Sequence, residues 1–317
     1  MERTPNSELT RVQDLWDKTA EERIHSPVQG WLDSPIVLES YVQPQVSGSP
    51  EINWLVGLAR RHEIPKQGRW LSLGCGTAGL EIFASKQGLF HSLVALDASP
   101  ASLEVARKDA EAQGVANIEF GAADLNRLDL PSSAYDVVLM NMSLHHVKNL
   151  RETLSQVRQT LRAHGRFLIN EFIGPRQFQF TDLQLSIVEE LLATLPTLWR
   201  QDIATGGDKT RYTRMPVEHW NVADPSEAIR SDRIVPEIER QFHVIERIDY
   251  GGTVLNLLLE HIIHNFNPGD PRDVAAIRLL AAFESILIRN HVLPSDFTVM
   301  VLGKKLALSG LRLRNRR

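Results

Sequence analysis

An apolar run that ends in closely spaced glycines, Leu71-Ser-Leu-Gly-Cys-Gly-Thr-Ala-Gly79, constrains this chain more than any other feature. Read as a strand entering a helix, it places Gly74, Gly76 and Gly79 at the turn. Missing Cβ atoms there let backbone pass close to a ligand, and helix-terminal N–H groups face it. The same spacing also suits a tight strand-to-helix turn that binds nothing. The surrounding rhythm narrows the architecture. Short apolar strands are predicted at Trp70–Leu73, Leu93–Leu96, Ile118–Ala122, Asp136–Met140 and Phe167–Asn170, with helices after most of them. That is the pattern of a parallel sheet with crossovers.

The rest of the 317 residues is read around this core. Residues 1–50 form a covering segment: a helix over Ser7–Arg23 capped by Ser7, then a stretch broken by Pro27, Gly30, Pro35, Pro44, Gly48 and Pro50 and anchored by Trp31, Tyr41 and Val42. A helix over Glu51–Arg61 opens the α/β core, which runs over 51–173. Gly174-Pro175 breaks the rhythm, and 174–235 reads as an insertion that caps a substrate, with an apolar helix at Asp182–Leu195. Residues 236–317 complete the core with strands Phe242–Ile248 and Thr298–Leu302 and helices Thr253–Asn265 and Arg272–Asn290. The expected fold is a Rossmann-like α/β fold, a seven-stranded, mainly parallel sheet with helices on both faces.

Charge and composition exclude several functions. Lys+Arg 35 against Asp+Glu 39 leaves a net charge of -4, without the positive field that phosphate-backbone binding needs, so no nucleic-acid partner is expected. The basic terminus Leu311–Arg317 reads as a solvated tail. Cys75 is the sole cysteine and cannot form an internal disulfide. No apolar run is long enough to span a bilayer, and the polar N-terminus lacks a signal peptide's apolar stretch. The expected location is the cytoplasm. Oligomeric state stays open.

Acidic residues recur at the ends of the strands. Asp97 closes the second strand about twenty residues after the glycine turn, where a carboxylate can accept both hydroxyl protons of a ribose. Ser99-Pro100 can cap the following helix and leave Asp97 free. Gly121-Ala-Ala-Asp124-Leu125 ends the third strand with an acid and an apolar neighbour suited to an adenine, and Asn141 and Met142 follow the fourth. This order resembles the class I S-adenosylmethionine-dependent methyltransferases over Trp70 to Glu171. The resemblance implies that the turn, with Gly74, Cys75, Gly76 and Gly79, faces the methionine part of S-adenosylmethionine. It implies ribose at Asp97 and Ala98, adenine at Asp124 and Leu125, and further cofactor contacts at Asn141 and Met142. Two positions depart from it: Ser72 stands where the family commonly has an acid, and Ala78 where it commonly has glycine.

Methyl transfer from a sulfonium is an in-line displacement in which positioning supplies much of the rate, and a base is needed only when the acceptor must lose a proton. His145 and His146 follow the fourth strand and Glu171 closes the fifth, at the sheet edge where α/β folds keep their sites. All three are candidate catalytic groups, each also readable as structural. Arg176, Phe178 and Phe180 are read as a substrate-pocket wall, with His261 and His264 as further pocket residues on one helical face. No metal is expected, because no acidic partners of recognised spacing complete a ligand set around them. The run Glu171–Asp182, with Asp224–Arg230 and Gly251–Thr253, is similar to bacterial small-molecule methyltransferases, some encoded beside glycan enzymes. That likeness implies a small-molecule or glycan acceptor, most simply a hydroxyl. An NAD(P)-dependent oxidoreductase and a non-catalytic S-adenosylmethionine-binding protein stand as alternatives.

Overall fold

Seven strands form one sheet in the order β3-β2-β1-β4-β5-β7-β6. They are β1 (Arg69–Leu73), β2 (Ser92–Asp97), β3 (Ile118–Ala122), β4 (Tyr135–Asn141), β5 (Leu161–Phe172), β6 (Phe242–Gly251) and β7 (Phe297–Lys304). β1 to β5 run parallel, and β7 enters antiparallel to both β5 and β6. This computed structural model describes residues 30–305 together with Asp17. The helix expected at 7–23, Asp17 apart, and the basic tail at 311–317 lie outside the described residues. Among the described residues no helix is long and apolar enough to cross a membrane.

The central strands read as near-continuous apolar runs because helices cover both faces of a parallel sheet. Trp70, Leu71 and Leu73 on β1 and Val137 to Met140 on β4 are fully buried. Among the described residues nine α-helices of five residues or more flank the sheet: α1 (Trp54–Arg61), α2 (Gly79–Lys86), α3 (Pro100–Ala112), α4 (Leu150–Thr160), α5 (Asp182–Thr194), α6 (Val217–Ala223), α7 (Ile234–Gln241), α8 (Leu255–Leu259) and α9 (Pro271–Arg289), besides shorter turns. Local chemistry starts several of them. Asn53 Oδ1 accepts from Leu55 N ahead of α1, and Thr181 and Gln184 form a reciprocal capping box at α5. The covering segment anchors by its aromatics: Trp31 meets Phe297 edge-on at 5.2 Å, and the Tyr41 hydroxyl donates to Glu284 at 2.8 Å.

The expected strands are all present, several longer than expected. β5 begins at Leu161, six residues early, because the polar stretch Arg162 to Arg166 hides its pairing with β4. One helix needs correction. The expected helix at Thr253–Asn265 is broken after α8, where His261 takes a left-handed φ of +61°. The Lys209 Nζ, from the insertion, donates to the carbonyls of Leu257 and Glu260 at 2.7 Å each and so takes over the acceptors that would continue the helix.

Candidate functional site

The glycine turn leaves β1 and enters α2 at the carboxyl edge of the sheet. Gly74 has φ +74° and sits so close to the segment after β4 that a Cβ there would come within 2.4 Å of the Ser143 Cβ. Nothing lies within 4 Å of where a Cβ on Gly76 would point, so that glycine opens onto free space. Ala78 adopts the left-handed conformation, φ +57°, at the departure from the family pattern. Asp97 braces the turn: one carboxylate oxygen accepts from Gly76 N and the other from Ser99 N, both at 2.8 Å. Ser99 Oγ accepts from Ser102 N and caps α3 as expected, while each Asp97 oxygen keeps a lone pair for a ligand hydroxyl. Asp124 accepts from Asn126 N, and Asn141 accepts from Asn170, whose own oxygen accepts from Tyr250.

The departure at Ser72 has a structural counterpart. Ser72 donates to Glu81 on α2 at 2.6 Å, and both side chains are buried. An acid therefore stands beside β1 after all, supplied from nine residues downstream. Burial pushes its carboxyl up to about 7, with the charge of Asp97 acting in the same direction. Burial and then the charges of Glu81 and Asp97 also push the Cys75 thiol far up, which keeps it protonated and fits its reading as a small structural residue.

Next to this turn lies a cluster of imidazoles and carboxylates. Glu171 is wholly buried and its two oxygens accept from Ser143 N, Leu144 N, Phe172 N and His145 Nδ1. Three of these bonds, from Ser143 N, Leu144 N and His145 Nδ1, hold the segment after β4, so Glu171 is placed to position His145. His145 Nε2 then faces Glu227, 3.5 Å from its carboxylate, and His146 Nε2 lies 4.0 Å from the other oxygen of the same group. His146 Nδ1 is 3.3 Å from Ser226 Oγ, which donates to Asp224. Burial is the largest influence on His145 and opposes its charge, but the charge and hydrogen bond of Glu171 together with the charges of Glu227 and Asp224 outweigh it and raise the imidazole to about 9. Burial and the charge of His145 lower its neighbour His146. Backbone strain gathers here too: Met142, Gln177, Phe178 and Ala228 all have positive φ, and Gln177 N bonds Ala228 O.

A family model described as a methyltransferase domain matches residues 64–219. The malonyl-acyl-carrier-protein O-methyltransferase of Paenibacillus sp. (strain JDR-2) is 27% identical over 175 residues, 51% of this chain and 62% of that protein. The ubiquinone/menaquinone biosynthesis C-methyltransferase UbiE of Ectopseudomonas mendocina (strain ymp) is 33% identical over 109 residues, 34% of this chain and 43% of that protein. The chain belongs to the class I S-adenosylmethionine-dependent methyltransferases. It spans about half the length of the curated relatives it matches. Among solved structures, the 4+2 cyclase SpnF aligns over 96% of this chain and 100% of its own, with a TM-score of 0.52 at 12% identity, a likeness of fold alone. The family's cofactor is S-adenosylmethionine, and the dinucleotide-dependent alternative falls away.

In this chain the other expected pocket residues separate. Phe178 is half-buried and meets Phe172 and Trp220 at ring-centroid distances of 5.1 Å each, so it packs between the end of β5 and α6 of the insertion. Phe180 is 1% exposed and packs into the core against Tyr212, and Arg176 points outward to solvent. His261 lies 3.9 Å from Asp202 and His264 is exposed, and the break after α8 removes the helical face they were expected to share. Two participants escape the sequence reading. Glu227 comes from the insertion, in the run Asp224–Arg230 that carried only a loose resemblance, and Glu81 reads as an ordinary first-turn helix acid until its burial is seen. The ligand atoms of His145, His146 and Glu227 all lie within 4.8 Å of one another, a spacing able to hold a metal ion.

Proposed function

We propose that this protein methylates a small or medium acceptor from S-adenosylmethionine, at a hydroxyl oxygen of a sugar, glycolipid or secondary metabolite. The observation that carries the reading is His145: buried, held by Glu171 at Nδ1, and turned with Nε2 toward the insertion, immediately beside the glycine turn. In this reading Gly74 and Gly76 border the methionine part, Asp97 binds the ribose hydroxyls, and Asp124 and Leu125 meet adenine. S-adenosylmethionine supplies a methyl group on a sulfonium, an electrophile that needs alignment more than covalent help. His145 in its neutral form, which prevails above about pH 9, takes the acceptor's proton on Nε2, the oxygen forms its bond to the methyl carbon, and the carbon–sulfur pair returns to sulfur, so the rate should rise with pH toward that value. Phe178 and Trp220 present aromatic surface to the acceptor.

The relatives include O- and C-methyltransferases, so the acceptor atom is tested directly. The experiment is an acceptor screen read by methyl incorporation, with sugars, glycolipids and phenols in the panel. Incorporation at oxygen that depends on His145 supports the reading. Cofactor binding with no incorporation across the panel favours a non-catalytic S-adenosylmethionine-binding protein.

A further inference from the structure

Two imidazoles converge on one carboxylate beside the cofactor turn, and each imidazole is oriented from behind. Glu171 accepts from His145 Nδ1, which leaves Nε2 as the outward nitrogen. Ser226, its hydroxyl proton committed to Asp224 at 2.6 Å, presents an acceptor to His146 Nδ1 at 3.3 Å and orients that ring the same way. The two Nε2 atoms face the two oxygens of Glu227 at 3.5 and 4.0 Å. We propose that His145, His146 and Glu227 bind a divalent transition-metal cation, with Glu171 and Ser226 as its outer supports.

The distances suit a cation without rebuilding the site. Ligand bonds of about 2.0–2.2 Å put neighbouring ligand atoms about 3–3.5 Å apart, so this cluster closes on a cation by small side-chain movements. An imidazole whose other nitrogen donates to a carboxylate is the arrangement metal-binding histidines adopt, because it fixes the tautomer and raises ligand basicity. Two imidazoles and one carboxylate favour the zinc, iron, cobalt or nickel class over magnesium or calcium, which prefer oxygen. Three protein ligands leave open positions. This inference rests on the reading that an acceptor hydroxyl enters here: in the loaded enzyme His145 is a ligand, the hydroxyl occupies an open position, and its proton passes to solvent because the cation acidifies it.

The full-length protein, stripped with EDTA, is titrated with Co(II) and followed by visible absorption, and Zn(II) displacement is read in the same cell. About one equivalent should bind with d–d bands, and Glu227→Gln and His146→Asn should each weaken binding by about tenfold or more. Absence of those bands in the wild type, or their full retention in both variants, overturns the site. Methyl transfer by the stripped protein is measured in parallel. An unchanged rate in a sample that binds no cation overturns this inference and leaves the proposed function standing.

Discussion

Ser72 on β1 and Glu81 on α2 share a hydrogen bond of 2.6 Å, and both side chains are closed off from solvent. The pair ties the strand before the glycine turn to the helix after it. Because burial raises the Glu81 carboxyl to about 7 from an unfolded value of 4.5, the folded protein holds the proton more tightly than the unfolded chain. Asp296, buried beside Gln184 and raised by burial to about 7, behaves the same way.

A raised carboxyl contributes stability that is fully present below its unfolded value and is lost as pH rises through its folded value. Denaturant unfolding without cofactor should therefore show stability falling from pH 3.8 for Asp296 and pH 4.5 for Glu81 up to about pH 7. Glu81→Gln, which stays neutral, should flatten part of that slope and gain up to about 3 kcal/mol over the wild type at pH 8. Parallel curves for variant and wild type would contradict the assignment.

Gly74 is the turn's least replaceable residue. Its φ of +74° and the 2.4 Å approach to Ser143 act against any side chain. Gly74→Ala should cost about 2–4 kcal/mol in chemical denaturation and weaken cofactor binding. Gly76→Ala meets no protein atom within 4 Å, so its effect should appear mainly in cofactor affinity, measured by calorimetry.

The proposed catalytic cluster separates by readout. His145→Ala should lower kcat by about a hundredfold or more while cofactor affinity stays near wild type. Glu171→Gln keeps the shape but loses the charge that orients His145, and should lower kcat by about tenfold with the same cofactor affinity. Equal losses in cofactor affinity and in kcat would instead mark both residues as parts of the turn's scaffold.

Much of this was legible in the sequence, for a physical reason. Strands buried on both faces are continuous apolar runs, so Trp70–Leu73 and Asp136–Met140 announce themselves, and the glycines and Asp97 sit at the strand ends where the fold needs them. Long-range contacts were not legible. Lys209 ends α8 from 48 residues away, and no local pattern signals that a helix predicted through His261 must break there. Glu227 joins His145 only because the insertion folds back over the sheet edge, a contact spanning more than eighty positions. Arg176 and Phe180 share a run that reads as one wall, yet the left-handed turn at Gln177 and Phe178 sends the first to solvent and the second into the core.

Every role proposed for this site depends on the glycine turn, braced by Asp97, holding S-adenosylmethionine. Isothermal calorimetry with S-adenosylmethionine and NAD on wild type and Asp97→Ala tests it most directly. The wild type should bind S-adenosylmethionine and not NAD, and Asp97→Ala should weaken that binding by about tenfold or more, since it removes a charged acceptor from the ribose and a brace from Gly76. Tight NAD binding without S-adenosylmethionine binding, or an Asp97→Ala variant with undiminished affinity, would contradict it.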